Sequence, residues 1–255
     1  MEPREDFQLP YEPITVTARH YMDILEGEGT DTEKLEKHMW PAGQKLTKDD
    51  YLVILGDFGL IWYEKGTYDE KDITKWYNRQ PWTTLFIDGN HENFDRLFSD
   101  EFKEIEMFGN KAKQISDFIF YLQRGRVYTI QGKTFFTFGG GESIDRNART
   151  PHISWWSQEI PNFYEIDNGI GHLNQYNREV DFILTHTCSN EMFEIISRKF
   201  KFTYKENCEM TLRNFFSWVE EKVSFRQWHF GHFHEDLKLD SKHSTHYNKQ
   251  PLQIV

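Results

Sequence analysis

Four short apolar runs in this sequence end in side chains of the kinds that bind divalent metal ions. Runs of this length, stopped by turn residues, are typical of buried strands, and parallel α/β sheets bind ligands at the carboxyl ends of their strands. Carboxylate, carboxamide and imidazole groups without a thiolate suit Mn, Fe, Zn or a similar divalent ion. The sequence therefore predicts a metal site lined by oxygen and nitrogen atoms. The side chains that follow the four runs are Asp57, then Asn90 with His91 and Glu92, then His186, and last His232 with His234.

Length and composition favour a single folded domain. The chain has 255 residues, of which 38% are hydrophobic and 16% aromatic, and this content can support a sizeable core. Residues 1–13 are polar and contain three prolines, which indicates an extended lead-in, and residues 14–255 are expected to form the domain. No apolar run approaches the ~20 residues of a membrane span, and the N-terminus lacks an apolar signal core. We therefore expect a soluble protein that does not contact a membrane.

Charge and cysteine content narrow the classes of function. The formal net charge of −11 argues against broad binding to nucleic acid, which depends on neutralising phosphates. It does not exclude a phosphate-ester substrate, because a bound metal ion supplies local positive charge. The two cysteines, Cys188 and Cys208, are too few for a disulfide framework and indicate a reducing, cytoplasmic location. Cys188 is interpreted as a small buried or loop residue rather than a ligand. Nothing in the sequence indicates an oligomeric state.

The remaining patterns predict helices and a second sheet. The β-branched segment Ile14–Thr17 is typical of a first strand. Aromatic and β-branched segments at 118–122, 126–130 and 134–138 predict an antiparallel group of strands that forms a second sheet packed on the first. The segment 236–255 predicts a final β meander. Helical patterns cover residues 32–39, 68–79, 92–98, 170–178 and 207–222.

A long loop from Gly139 to about Asn168 carries residues that can contact a substrate. Loops of this length inside a compact domain are uncommon and often functional. Arg146 and Arg149 in this loop can hold a substrate phosphate by paired hydrogen bonds, or they can be ordinary solvated charges. Aromatic packing is the favoured interpretation of the loop's tryptophans, with stacking on a nucleobase as the alternative.

Four motifs in chain order make this sequence resemble the calcineurin-like metallophosphoesterases over about residues 14 to 255. A lone Gly-Asp or Thr-His pair carries little information, whereas four such motifs in order, each closing a strand, form a specific pattern. The stretches 55–62, 88–95 and 154–156 are most similar to a bacterial and phage-type branch of that family. The four motifs are Gly56-Asp57, Gly89-Asn90-His91-Glu92, Thr185-His186 and Gly231-His232-Phe233-His234.

The resemblance implies an α/β fold, in which a sandwich of two β-sheets is flanked by helices, and a site for one or two divalent ions (Mn, Fe, Zn or Ni). It implies that Asp57 bridges two ions, that Asn90, His186 and His232 complete one site, and that His234 belongs to the other. On the residues alone, Asp57 can also be a turn residue after a strand. His232 and His234 can be surface residues of a hairpin, although on a strand their spacing would put both on one face.

The resemblance also implies the chemistry of the site. His91 would be the general acid that protonates the leaving oxygen, and Glu92 would orient it, since a carboxylate partner selects the tautomer of an imidazole. Glu92 can instead be a carboxylate stabilised at a helix N-terminus. Two ions about 3.5–4 Å apart activate water and clamp phosphoryl oxygens, which predicts hydrolysis of a phosphomonoester or phosphodiester, nucleotides included.

The first motif departs from the family pattern. The family's first strand normally ends in Gly-Asp-x-His-Gly, whereas residues 17–21 read Thr-Ala-Arg-His-Tyr. His20 is kept as an expected metal ligand, but Ala18 stands where a carboxylate should be, and Asp23 or Glu26 are the candidates to replace it. This gap favours an alternative function, a degenerate member with one metal or none that binds a nucleotide or a protein. The intact general acid favours the enzyme.

Overall fold

The computed structural model describes residues 14–17, 32–200, 209–247 and 251–254, and within them the strands form two sheets. The larger sheet has the strand order β13 (Leu252–Gln253), β1 (Ile14–Thr17), β2 (Tyr51–Leu55), β3 (Thr83–Ile87), β6 (Ile119–Leu122), β5 (Asn110–Ser116) and β4 (Lys103–Met107). The smaller sheet has the order β11 (Leu237–Lys238), β12 (His243–Thr245), β10 (Gln227–Phe230), β9 (Phe182–Thr185), β8 (Lys133–Phe138) and β7 (Arg126–Ile130).

The strands at the centre of each sheet are parallel. β1, β2, β3 and β6 run in one direction in the larger sheet, and β8, β9, β10 and β12 do so in the smaller sheet. Antiparallel strands stand at the edges of both sheets. The loops that leave the carboxyl ends of the central strands carry the predicted site residues, as expected for a parallel α/β sheet.

Helices flank the two sheets. The best predicted helix, residues 68–79, begins where the Thr67 hydroxyl accepts a hydrogen bond from the Glu70 backbone, and it buries Ile73 and Tyr77 on one face. Side chains four residues apart lie on the same face of a helix, so this spacing directs both toward the sheet. In the described chain the α-helices are α1 (Tyr68–Arg79), α2 (Phe94–Leu97), α3 (Phe163–Gln175), α4 (Asn190–Phe200) and α5 (Met210–Lys222).

The core is arranged in layers because strand side chains alternate between two faces. Val53 and Leu55 of β2 belong to the same buried cluster as Phe135 of β8, and this cluster lies between the sheets. Leu52 and Ile54 of β2 point the other way and share a cluster with residues of α1. A third cluster joins the outer face of the smaller sheet to α3, α4 and α5. The predicted fold class, a two-sheet sandwich flanked by helices, is confirmed.

Several sequence predictions about individual elements are wrong. The segment 118–122 does not join the second sheet, because β6 pairs in parallel with β3 in the larger sheet. The C-terminal segment is not one meander, since β13 crosses to pair with β1 while β11 and β12 stay in the smaller sheet. The segment 32–39 holds a short 3-10 helix, Glu33–Leu35, in place of an α-helix.

The sequence patterns did not predict two elements of the fold, the β4–β5 hairpin and helix α4. The β4–β5 hairpin is rich in charged, partly exposed residues, and the alternation of charged and apolar residues in β4 covers only the few positions Glu104 to Met107. Helix α4 begins four residues after the candidate ligand His186, and Ser189 stands before it as an N-cap residue that accepts a hydrogen bond from the Met192 backbone. No described helix has the length and apolar character needed to cross a membrane. The predicted lead-in, residues 1–13, lies outside the described residues.

A buried histidine ties β12 to α5. The Nε2 atom of His243 lies 3.0 Å from Glu220 Oε2, and its Nδ1 atom lies 2.9 Å from Asp240 Oδ2. Burial alone would lower the pKa of His243, but the hydrogen bonds with Glu220 and Asp240 outweigh burial and raise it. A raised pKa in the folded state stabilises the fold below the unfolded-state pKa of about 6.5, and this contribution is lost as the pH rises through the folded-state value.

We expect Glu220→Gln to destabilise the protein more at pH 6 than at pH 9. At pH 6 the substitution removes the carboxylate partner of a protonated imidazole, an interaction of about 1.5–3 kcal/mol, whereas at pH 9 the imidazole is neutral. Urea unfolding at the two pH values measures the difference. Glu221→Gln, which removes an exposed carboxylate from the same helix, is the control. A loss that does not depend on pH would contradict the assignment of charge to His243.

Candidate active site

Loops from both sheets meet at one site. Asp57 follows β2, Asn90 follows β3, and His186 follows β9 of the smaller sheet. His186 Nε2 lies 3.0 Å from Asn90 Oδ1 and 3.4 Å from Asp57 Oδ1. All three side chains are buried. Three of the predicted metal ligands therefore lie in direct contact, although they come from three different strands.

Two glycines permit this close approach. Gly56 has a φ of 88°, and a Cβ atom there would collide with the His186 ring. A Cβ atom on Gly89 would collide with the carboxylate and backbone of Asp57. Asp57 itself has a φ of 53°, an uncommon value for a residue with a side chain. The turns after β2 and β3 are therefore shaped by glycine so that the ligand side chains can touch.

The hydrogen bonds of His186 define which ring nitrogen faces the site. Nδ1 lies 2.7 Å from the carbonyl oxygen of Leu55, which can only accept, so Nδ1 carries the hydrogen and Nε2 presents a lone pair. Burial alone would lower the pKa of His186, but the Asp57 carboxylate and the Leu55 carbonyl raise it. The surroundings of Nε2 thus favour the binding of a cation at this atom, either a proton or a metal ion.

Asn90 is held with its oxygen toward His186. Its Nδ2 atom lies 3.2 Å from Ser143 Oγ, and that hydroxyl in turn donates to Glu159 Oε2 at 2.6 Å. Burial raises the pKa of Glu159 to about 7. With the amide nitrogen engaged by Ser143, the carboxamide oxygen and His186 Nε2 face each other as two acceptors. Such a pair is stabilised by a cation between the atoms and is repulsive without one.

His232 adds a fourth donor beside His186. The two ring centroids are 4.9 Å apart, and His232 Nε2 is buried with no hydrogen-bond partner in the described chain. Burial, followed by the neighbouring His186, lowers the pKa of His232 well below its usual value, so its imidazole is neutral at neutral pH. A neutral imidazole with an unpaired nitrogen is the form that coordinates metal ions.

His232 and His234 do not lie on a strand, which corrects the same-face argument. Strand β10 ends at Phe230, and the two histidines have φ values of 67° and 52° in the loop that follows. His234 is exposed, and its ring stacks on Tyr247 at a centroid distance of 4.9 Å. The left-handed backbone, rather than strand alternation, decides where each imidazole points.

His91 stands next to the ligand group. Its backbone nitrogen donates to Asp57 Oδ1 at 2.8 Å, and its ring stacks on Trp62 with a centroid distance of 5.9 Å. Its Nε2 atom lies 3.4 Å from Arg149 Nη2. The ring therefore has one face against an aromatic side chain and its Nε2 beside a guanidinium group.

Glu92 contacts the turn that carries Asp57. Its Oε1 atom accepts a hydrogen bond of 2.8 Å from the backbone nitrogen of Phe58. Burial, and then the charge of Asp57, raise the pKa of Glu92 well above its usual value. Glu92 precedes the short helix α2, whose N-cap is Asn93, so it is not a carboxylate of the first helical turn. The predicted role of Glu92 as the orienting partner of His91 stays a prediction.

The two predicted substrate arginines lie in different surroundings. Arg149 is nearly buried, pairs with Asp145 at 2.7 Å, and reaches His91. Arg146 pairs with the buried carboxylate of Glu142 at 3.4 Å. Sequence reasoning treated the two as equivalent, whereas only Arg149 contacts the predicted general acid.

Comparison with protein families agrees with this geometry. The family model of the calcineurin-like phosphoesterases matches residues 24–236. The chain belongs to the calcineurin-like phosphoesterase family. The family match begins after Ala18 and His20, and both residues lie outside the described structure, as do Asp23 and Glu26. No curated protein and no solved structure matches the chain. The resemblance to a bacterial and phage-type branch stays a prediction.

The side chains that meet at this site are of types that bind divalent ions. Among the described residues, no group of three or more His, Cys, Asp and Glu side chains is arranged closely enough to be recognised as a metal site. The support for an ion therefore comes from pairwise contacts. Ligand atoms at right angles around an ion at about 2.1 Å lie about 3.0 Å apart, which matches the contact between Asn90 and His186. The unpaired nitrogen of His232 supports the same interpretation.

We expect Gly89→Ala to destabilise the protein and Gly171→Ala to stabilise it. The first substitution forces a methyl group into Asp57, and such overpacking typically costs about 1–3 kcal/mol. The second places a methyl group in open space within α3, where alanine is favoured over glycine by about 0.5–1 kcal/mol. Urea unfolding of both variants measures the two changes. Equal effects of the two substitutions would show that the turn at Gly89 tolerates a side chain.

Proposed function

We propose that this chain is a metal-dependent hydrolase of phosphomonoesters or phosphodiesters. The observation that carries the proposal is the convergence of acceptor atoms from Asp57, Asn90 and His186 beside the unpaired imidazole of His232. A buried carboxylate, a carboxamide oxygen and two imidazole nitrogens that lie together are stabilised when a cation binds between them. Membership in the phosphoesterase family supports phosphate esters as the substrate class.

Asp57, Asn90, His186 and His232 would hold the first divalent ion. His234 and His20 are proposed for a second, and Mn, Fe, Zn or Ni suit such ligands. A divalent ion in this site lowers the pKa of water and polarises the phosphoryl oxygens. The turn glycines and the Leu55 carbonyl hold these ligand side chains in place.

His91 is proposed as the general acid that gives a proton to the leaving oxygen. His91 follows the proposed ligand Asn90 in the chain, and its backbone nitrogen donates a hydrogen bond to Asp57. Its imidazole ring stacks on Trp62, which fixes the orientation of the ring. Arg149 is proposed to bind a phosphoryl oxygen beside His91, because a guanidinium group matches the geometry of phosphate. Arg146, paired with Glu142, is the weaker candidate for a substrate contact.

The alternative function is a binding module that retains the fold without turnover. Ala18 in place of the first-motif carboxylate favours it, because the second ion then has one anionic ligand fewer. A nucleotide or a protein would be the ligand. The cytoplasmic location and the absence of membrane contact stay predictions.

We expect the wild-type protein, dialysed without chelator, to hold about one or more divalent ions per chain and to hydrolyse an aryl phosphate. Asp57→Asn should lose most of the metal and the activity, because it removes a carboxylate from the centre of the ligand group. Elemental analysis and turnover of p-nitrophenyl phosphate and its bis-ester measure both, and the two substrates separate monoesterase from diesterase activity. Asp49→Asn, which changes an exposed carboxylate, is the control. Metal without turnover of either ester would favour the binding module.

We expect His91→Asn to retain metal and to lose activity in proportion to the difficulty of the leaving group. General acid catalysis contributes about 10²–10⁴-fold, and an aryl oxide leaves with little protonation whereas an alkoxide needs it. Rates on aryl and alkyl phosphates at saturating metal measure the effect. His38→Asn, at a largely exposed histidine, is the matched control. Equal losses on both substrates would remove His91 from the role of acid.

A further inference from the structure

A buried carboxylate that the motifs do not include lies beside His232. Glu209 is 1% exposed and stands at the start of α5. Its Oε1 atom lies 3.7 Å from His232 Nε2. The helix predicted over residues 207–222 includes Glu209, but no motif marks it as a site residue, so only the fold brings it to the site.

The position of Glu209 is fixed from two sides. Its backbone nitrogen donates to Glu142 Oε2 at 3.2 Å, which ties it to the loop that follows β8. Its backbone carbonyl accepts the first bond of α5, from Arg213 at 2.9 Å. The backbone of Glu209 is therefore fixed, and from it the side chain extends to within 3.7 Å of His232 Nε2.

The carboxylate of Glu209 lacks hydrogen bonds despite its burial. In the described structure neither of its oxygens meets a donor with full hydrogen-bond geometry, although the Thr187 hydroxyl lies close enough to counter in part the rise in the pKa of Glu209 that burial causes. The two oxygens of Glu209 face different partners. Oε2 lies 3.9 Å from Arg213 Nε, whereas Oε1 faces His232. Burying a carboxylate that accepts no hydrogen bond has an unfavourable free energy. A cation on the His232 side would offset this free energy.

The distance between the two unpaired atoms suits a shared ion. Ligand atoms around an octahedral ion at about 2.1 Å are about 3.0 Å apart at right angles and about 4.2 Å apart when opposite. The 3.7 Å between Glu209 Oε1 and His232 Nε2 falls between these limits. A direct hydrogen bond would need a shorter separation.

We infer that Glu209 is a carboxylate ligand of the metal centre on the His232 side. The inference rests on the proposed metal-dependent function and adds a residue to it. It also balances charge, because Asp57 is otherwise the one carboxylate among the ligands assigned in the described chain and Ala18 removes the anion expected from the first motif.

The test is a calorimetric titration of Mn²⁺ into chelator-treated, dialysed protein. We expect Glu209→Gln to weaken Mn²⁺ binding by about 10–100-fold or more, the range found when residues that support metal ligands are removed. Glu221→Gln, which neutralises an exposed carboxylate on the same helix, should bind as the wild type does. Glu209→Asp, which keeps the charge on a shorter side chain, should fall between them.

A second readout separates metal binding from folding. Each variant is melted with chelator and then with Mn²⁺, and the rise in Tm on adding the ion is compared between variants. A purely structural role of Glu209 lowers Tm equally in both conditions and leaves this rise unchanged, whereas a ligand role makes the rise smaller.

The outcomes distinguish the inference from the proposed function. Wild-type affinity and a full Tm rise in Glu209→Gln, with binding lost in Asp57→Asn, would overturn the role of Glu209 and leave the metal site intact. No Mn²⁺ binding by the wild type would overturn both. Weakened binding in Glu209→Gln together with unchanged binding in Glu221→Gln supports the inference.

Discussion

The Asn90 oxygen and His186 Nε2 face each other where loops of the two sheets meet, and this contact is favourable only with a proton or a metal ion between the two atoms. The Asn90 oxygen belongs to a loop of the larger sheet and His186 Nε2 to a loop of the smaller one, at 3.0 Å. His186 Nδ1 also donates to the carbonyl of Leu55 at the end of β2, so one imidazole joins the sheets and serves the site. Compensating this pair with a positive charge therefore favours both sheet packing and ligand geometry. An ion bound between these atoms would stabilise the fold for the same reason.

A buried ion pair supports the site from behind. Asp88, two residues before Asn90, is fully buried and pairs with Arg124, while the Tyr121 hydroxyl donates to its other oxygen at 2.8 Å. Arg124 also reaches Glu165 at the start of α3. Removing one partner of such a buried ion pair lowers the free energy of unfolding by about 3–5 kcal/mol, because the other charge stays buried and unpaired. It anchors the loop after β3 to the strand β6 and to α3, and it does so outside the ligand group.

In this acidic chain one guanidinium group lies beside the predicted general acid. The net charge is −11, yet the guanidinium of Arg149 stands beside His91 at the mouth of the ligand group. A divalent ion would add to that local positive potential. The surrounding acidic surface does not oppose a small phosphate ester in the way that it opposes a long polyanion, because surface charges are screened over about 8–10 Å in salt.

The sequence by itself predicted the strands of the site and the candidate ligand residues that follow them, and the family resemblance implied the layered fold. The strands and the residues after them could be predicted because a short apolar run and the turn residue after it are adjacent in the chain. The tertiary structure decided which residues meet. Glu209 reaches His232 from a distant helix, Arg149 rather than Arg146 reaches His91, and β6 pairs with β3 instead of its neighbours in sequence. Such contacts depend on pairings far apart in the chain and on left-handed backbone at His232 and His234, and no local pattern encodes either.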